Sequence, residues 1–269
     1  MKKGAPRGTP ADLTYGSYLK LHPLLSLQEP LSRPASHDEM QFIVVHQAFE
    51  LWFKLMLYEI DALFRLFEAK DVREAERLFR RLNRIVEVLI KHLEVIETMV
   101  PSDFVTFRDL LKPASGFQSW QFREIEYAGG VRDPRYLGLF KDQPDALARL
   151  QARLEAPTLW DGFARMLRAL GFKAADIAAV ARIYKDSRFH DLRMLCEAMI
   201  EYDELFQLWR EHHVRMAERM IGGKPGTGQE AVRYALGEAG PMGAHGVEYL
   251  RTTLDKRFFP VLWDARTAM

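Results

Sequence analysis

LCEAMIEYDELFQLWREHHVRMAERM, residues 195–220, is the stretch whose pattern decides the fold. Leu195, Met199, Tyr202, Phe206, Trp209, His213, Met216 and Met220 recur at alternating steps of four and three. That spacing keeps eight side chains on one helical face, so it predicts a long helix with that face in a core. His213 places an imidazole among thioethers and aromatic rings, where a flat apolar cofactor has room. His212 falls off the stripe and is the weaker candidate. Gly222-Gly223 ends the helix, Pro225 bars its continuation, and the loop Gly226-Thr227-Gly228 follows.

Outward from this helix the periodicity stays helical. Ser36-His37-Asp38-Glu39 has the form of a capping box, with Ser36 as N-cap and Glu39 reaching back. The helix behind it carries Phe42, Val45, Phe49, Trp52, Met56, Ile60 and Leu63, with further apolar residues around most of its circumference, and is expected to be central and deeply buried. Asp71 and Glu74 open a second long helix with the stripe Val72, Ala75, Phe79, Leu82, Val86, Leu89, Leu93 and Ile96. Pro101 is expected to stop that helix. A further helix runs from about Phe117 to Tyr127, and short helices broken at Pro144, Pro157 and Gly171 fill the stretch from Asp133 to Ser187. The tail has a break at Gly240-Pro241. No β-alternation, repeat or phosphate-binding loop is visible. The fold class is all-α, one helical-bundle domain at residues 36–269, preceded by an N-terminal arm at residues 1–35.

Composition narrows the function. With 38 basic and 37 acidic residues the formal charge is +1, which favours neither nucleic acid nor a membrane surface as partner. The single cysteine, Cys196, excludes an intrachain disulfide and any multi-cysteine metal site. The basic start lacks the apolar run of a secretory signal, and no stretch approaches the roughly 18 apolar residues of a bilayer span. The chain is expected to be soluble and cytoplasmic.

Four features carry candidate chemistry. His213 is either a core histidine bonded to a carbonyl, or a ligand whose neutral nitrogen coordinates iron while a second group holds its other N–H. His46 shares a face with Phe42 and Phe53, and desolvation there favours the neutral ring; it too has a purely structural alternative. Arg108 follows Phe104-Val105-Thr106-Phe107 and either stacks structurally or clamps a substrate carboxylate with its planar fork. Gly226-Thr227-Gly228 is a flexible turn bearing one hydroxyl.

Taken together, Leu13-Thr14-Tyr15-Gly16-Ser17-Tyr18-Leu19, His37-Asp38-Glu39-Met40 through His46-Gln47, Glu50-Leu51-Trp52-Phe53-Lys54, Phe107-Arg108-Asp109, Ser115-Gly116-Phe117-Gln118-Ser119, Phe206-Gln207-Leu208-Trp209-Arg210 and Gly226-Thr227-Gly228 resemble the tryptophan 2,3-dioxygenase family. The resemblance implies an all-helical fold of the tryptophan/indoleamine dioxygenase type, with a haem pocket between long central helices. It implies one haem b per subunit, ferrous when active, and a homotetramer built as a dimer of dimers. The implied reaction opens the indole ring of L-tryptophan with O2 to N-formyl-L-kynurenine, and neither nucleic acid nor membrane takes part.

By the same resemblance His213 is the axial iron ligand, and His46 bonds the indole N–H beside the aromatic wall of Phe42. Arg108 pairs with the substrate carboxylate, Thr227 contacts its ammonium group, and Ser115 and Gly116 edge the pocket. Tyr15, Tyr18 and Leu19 belong to an arm reaching a neighbouring subunit's site. The chain departs from the family pattern in three places. Phe104 in the substrate pocket stands where a tyrosine is usual, the stretch between Gly171 and Phe189 is shorter, and Gln229-Glu230 follows Gly228 in place of a Gly-Ser-rich run. Phe104 and the altered loop motivate an alternative, a sibling haem enzyme inserting one oxygen into a modified tryptophan or another aromatic amino acid. A haem carrier without turnover and a cofactor-free bundle are the remaining alternatives.

Overall fold

The computed structural model describes residues 13–228 and 246–269, and among these every regular element is helical. Two short helices, α1 (Tyr15–Leu19) and α2 (Leu21–Leu24), form the arm and bury no residue. Three long helices build the body: α3 (His37–Ala69), α4 (Val72–Ile96) and α10 (His190–Ile221). Between α4 and α10 run α5 (Pro101–Arg108), α6 (Trp120–Gly129), α7 (Pro144–Glu155), α8 (Leu159–Ala169) and α9 (Ile177–Lys185). The C-terminal part holds α11 (Gly246–Arg251) and α12 (Pro260–Asp264). The expected break at Gly240-Pro241 lies outside the described residues.

The most extensive packing is α10 on α4 and α3 on α4, with α6 and α8 laid against α3. Both sequence stripes face this seam. Met56, Ile60 and Leu63 of α3 meet Phe79, Leu82 and Val86 of α4 and Tyr202 and Phe206 of α10, all inaccessible to solvent. Each such side chain contributes about 1.5–3 kcal/mol of burial free energy. Asp71 caps α4 as expected, accepting from the Glu74 N–H at 3.2 Å.

Three expectations need correction. Ser36 is the N-cap of α3, but its side chain caps nothing. Its hydroxyl pairs with Thr106 at 2.8 Å, while Glu39 turns away to accept from the Leu31 N–H (2.6 Å) and the Ser32 N–H (3.0 Å). A buried carboxylate gains more by holding the chain before the helix than by closing a box at its tip. Second, α3 is not buried all round: Val44, Leu51 and Tyr58, seven residues apart, form an exposed line. Third, Pro101 starts α5 rather than stopping α4, which ends at Ile96; proline's missing N–H costs nothing in a first helical turn.

The arm touches the body lightly. Tyr15, Tyr18 and Leu19 are exposed. The tie to α3 is a pair of amides: Gln28 Nε2 donates to Gln47 Oε1 at 2.6 Å, and Gln47 Nε2 donates to the Leu27 carbonyl at 3.0 Å. The C-terminal part is anchored harder. The wholly buried Asp203 carboxylate accepts from the Phe258 and Phe259 N–H groups (2.9 Å each) and from Trp263 Nε1 (3.0 Å). At the far end of α10, Gly222 adopts φ +56°, a conformation costly for side-chain-bearing residues, and the chain turns back as the loop 223–228.

Candidate active site

A cavity of about 1060 Å³ opens between α3, α5, α6 and α10, at the upper end of the roughly 300–1,000 Å³ of small-molecule sites. Its lining is mainly apolar and includes Phe42, His46, Phe49, Phe53, Phe104, Phe122, Trp209 and Met216. The arm residues Leu24, Leu25 and Leu27, the turn 113–119 and the loop residues Gly226 and Thr227 complete the wall. His46, Phe42, Phe104, Arg108, Ser115, Gly116, Thr227 and His213, all singled out by sequence, line this one cavity. Tyr15, Tyr18 and Leu19 do not line it.

The two histidines differ in what holds them. His46 Nδ1 lies 2.7 Å from the Phe42 carbonyl. A carbonyl only accepts, so Nδ1 carries the proton and Nε2 keeps its lone pair. The His46 ring is accessible to water, but through the cavity it lines. Burial lowers its pKa, opposed by the Phe42 bond and the charge of Glu50, so the ring is neutral near pH 7. Phe42 packs against it with ring centres 4.0 Å apart, and Phe104 stacks on Phe42 at 5.9 Å.

His213 shows no hydrogen bond to a described residue; burial, and after it the charges of His46 and His212, push its pKa down to about 4. Among the described residues no carbonyl holds this ring in place as a core histidine would be held. The Trp209 ring lies against it at 5.3 Å and 12°, nearly parallel. His212 points elsewhere and pairs with Glu97 at 3.2 Å. A neutral imidazole on the wall of a large apolar cavity, with no hydrogen bond among the described residues, is a donor of the kind an iron porphyrin takes. Among the described residues no cluster of three or more metal-ligating side chains forms. The residues present fit a haem.

Opposite polar groups are loaded but not exhausted. Arg108 donates from Nη2 to the Pro225 carbonyl, while its Nε is buried without a partner. Thr227 Oγ1 donates to the Ala114 carbonyl at 2.8 Å. Ser115 Oγ accepts from the Phe117 N–H at 3.3 Å. A methyl group on Gly228 would lie 2.1 Å from Ser115 Cβ, so the glycine allows the loop to sit directly on the 113–116 turn.

Pattern reasoning missed several lining residues. Arg123, Glu126 and Arg210 also face the cavity; Arg123 and Glu126, three apart on a helix, have the spacing of a solvated surface pair. Gln28 and Leu24 lay in an arm without helical periodicity.

Comparison with known proteins identifies the family. A profile of the family described as tryptophan 2,3-dioxygenase matches residues 1–152 and 140–269. Curated relatives carrying that name include one from a Nocardioides species, 43% identical over 96% of each chain. One from Bacillus cereus is 38% identical over all of this chain and 97% of its own length. Another from Xanthomonas euvesicatoria is 38% identical over 96% and 88%.

Proposed function

The chain belongs to the tryptophan 2,3-dioxygenase family, and on that premise we propose how its cavity performs the reaction: cleavage of the indole C2–C3 bond of L-tryptophan with O2, giving N-formyl-L-kynurenine. Both oxygen atoms enter the product, so the balance needs no external electron donor. The cofactor is haem b, one per chain, held by His213, and when bound its ferrous iron supplies the activation of O2 that protein side chains lack.

The residues of the chain bind and orient. The indole N–H donates to the His46 Nε2 lone pair, which the Phe42 carbonyl aims by fixing the tautomer. Phe42 and Phe104 form the apolar wall for the ring and exclude water from it. Arg108 takes the carboxylate; its guanidinium has five N–H donors, and the Pro225 carbonyl occupies few of them. Thr227 donates to Ala114 and retains oxygen lone pairs for the substrate ammonium. Ser115 and Gly116 edge the pocket beneath this loop. Fixing both ends of the amino acid turns a bimolecular encounter into a held geometry. An indole N–H is a very weak acid, so His46 acts by hydrogen bonding and no proton removal is required.

The chain further assembles as a homotetramer, a dimer of dimers, in the cytoplasm. The exposed Tyr15, Tyr18 and Leu19 of residues 1–35 extend to a neighbouring subunit's site, while residues 36–269 act as the haem-binding catalytic domain. Their exposure supports this, and among the described residues no helix is long and apolar enough to cross a membrane.

One observation carries the proposal: His213, without a hydrogen bond to any described residue, and His46, whose Nε2 keeps its lone pair, line the same apolar cavity as Arg108. The test is anaerobic reduction of haem-loaded protein, addition of L-tryptophan and ¹⁸O₂, and mass spectrometry. N-formylkynurenine with two labelled oxygens is expected; its absence at every tryptophan concentration overturns the proposal. His213→Ala is expected to lose the Soret band and His46→Ala to keep it, and the reverse would exchange their roles.

A further inference from the structure

At the α6–α10 edge of the cavity three charged side chains are packed out of bulk water. Arg123 donates from Nη1 to Glu126 Oε2, and Arg210 Nη2 lies 3.4 Å from Glu126 Oε1. Arg123 keeps 6% of its side-chain exposure, Arg210 and Glu126 3% each. All three line the cavity. The charges do not balance: one carboxylate serves two guanidinium groups, and the half-buried Lys256 lies within reach of all three, its pKa lowered by burial, raised by Glu126 and lowered by Arg123 and Arg210, with a net shift downward. The nearby Asp133 is committed to Arg135 at 2.7 Å.

A surplus of buried positive charge is costly unless an anion completes it. Arg123 has the capacity to accept one. Its Nε is buried without a partner, and the bond to Glu126 is the one hydrogen bond it makes among the described residues. Its guanidinium plane is held over the Tyr136 ring at 4.1 Å and beside Phe122 at 5.2 Å, so little ordering is left to pay on binding. The position identifies the anion. Arg210 precedes His213 by three residues, which puts both on one face of α10, whereas Arg108 borders Phe104 and the loop 225–228. The anion therefore belongs to whatever His213 holds.

We propose that Arg123, supported by Arg210 through Glu126, is the seat for a carboxylate side arm of the porphyrin, distinct from the Arg108 seat for the amino acid's carboxylate. This rests on the haem assignment above. Arg123 sets cofactor retention and orientation in the cavity and takes no part in oxygen chemistry.

The test loads full-length protein with iron protoporphyrin IX or with its dimethyl ester, whose side arms carry no charge. Release to excess apomyoglobin is followed at the Soret band, for wild type, Arg123→Met and Arg123→Lys. Wild type is expected to release the ester about tenfold to a hundredfold faster than the free acid, the range for one charge-assisted bond. Arg123→Met should release both forms at the faster rate, and Arg123→Lys should restore part of the discrimination. The ester comparison in wild type stands even if a variant misfolds. Equal release of both porphyrins from wild type overturns the proposal and leaves the haem assignment intact; failure to bind either removes both. Unchanged haem release in Arg123→Met with a raised KM for tryptophan would assign the seat to the substrate instead and overturn it as well.

Discussion

Gly228→Ala tests whether the Gly226-Thr227-Gly228 loop works by lying directly on the 113–116 turn. The added methyl would sit 2.1 Å from Ser115 Cβ, 3.0 Å from Ser115 Oγ and 3.1 Å from the Pro113 carbonyl. The first contact is impossible for real carbon atoms, so loop or turn must move. Overpacking of this kind costs about 1–3 kcal/mol, and separating the two segments forfeits the 2.8 Å bond from Thr227 to Ala114, worth about 0.5–1.5 kcal/mol net. Because Thr227 lines the cavity, the cost should fall on the closed, ligand-holding arrangement. A loss of about 2 kcal/mol corresponds to roughly a 30-fold weaker apparent affinity for tryptophan.

The geometry also prescribes its own rescue. Ser115→Gly removes both Cβ and Oγ and leaves the Pro113 carbonyl at 3.1 Å as the closest atom. On its own it loses the bond accepted from the Phe117 N–H, at about a few tenths of a kcal/mol, since glycine is itself tolerated at a cap. The double variant should therefore bind tryptophan better than Gly228→Ala alone, with a coupling of about 1–2 kcal/mol, read as KM and substrate Kd in a four-member cycle. Additive effects would refute the reasoning: the loop would then contact the turn by something other than the missing Cβ.

Asp203→Ala strands two backbone N–H groups and the Trp263 indole N–H; a stability loss of about 3–5 kcal/mol is expected by denaturant titration, and a loss below about 1 kcal/mol would show that the C-terminal part is held by its apolar contacts alone. Arg108→Met should raise KM for tryptophan by tens to hundreds of fold, an unpaired buried carboxylate costing on the order of 2–4 kcal/mol, while haem content stays unchanged; an unchanged KM removes the clamp. Burial raises the Glu39 pKa, but the bonds from Ser32 and Leu31 and the charge of Arg33 outweigh it, so the net shift is downward. A carboxyl with a folded pKa below its unfolded value contributes stability fully present above about pH 4.3 and lost as pH falls through the folded value. The Tm gap between wild type and Glu39→Gln should accordingly shrink on acidification below that pH, and a constant gap from pH 7 to pH 3 would contradict this.

The helical architecture was legible because burial acts on periodicity: the stripes of α4 and α10 are out of solvent except for the partly exposed Val72, His213 and Met216, whereas the burial expected around the circumference of α3 is too great. An apolar residue at a helical spacing reads as core, yet Val44, Leu51 and Tyr58 stay exposed on the isolated chain. Site residues divided along a similar line. His46 and His213 stood out because an imidazole on an apolar face is conspicuous whatever it does. Their difference, one bonded to a carbonyl and the other to no described residue, is a matter of rotamer and neighbouring backbone that no spacing encodes. Arg123, Glu126 and Arg210 were invisible for the opposite reason: charged residues at helical intervals have the pattern of a surface, and only the packing of α6 against the cavity turns that pair and its partner into a buried, unbalanced cluster. An unbalanced cluster is what a sequence hides best, since the missing charge belongs to the cofactor and is written nowhere in the chain.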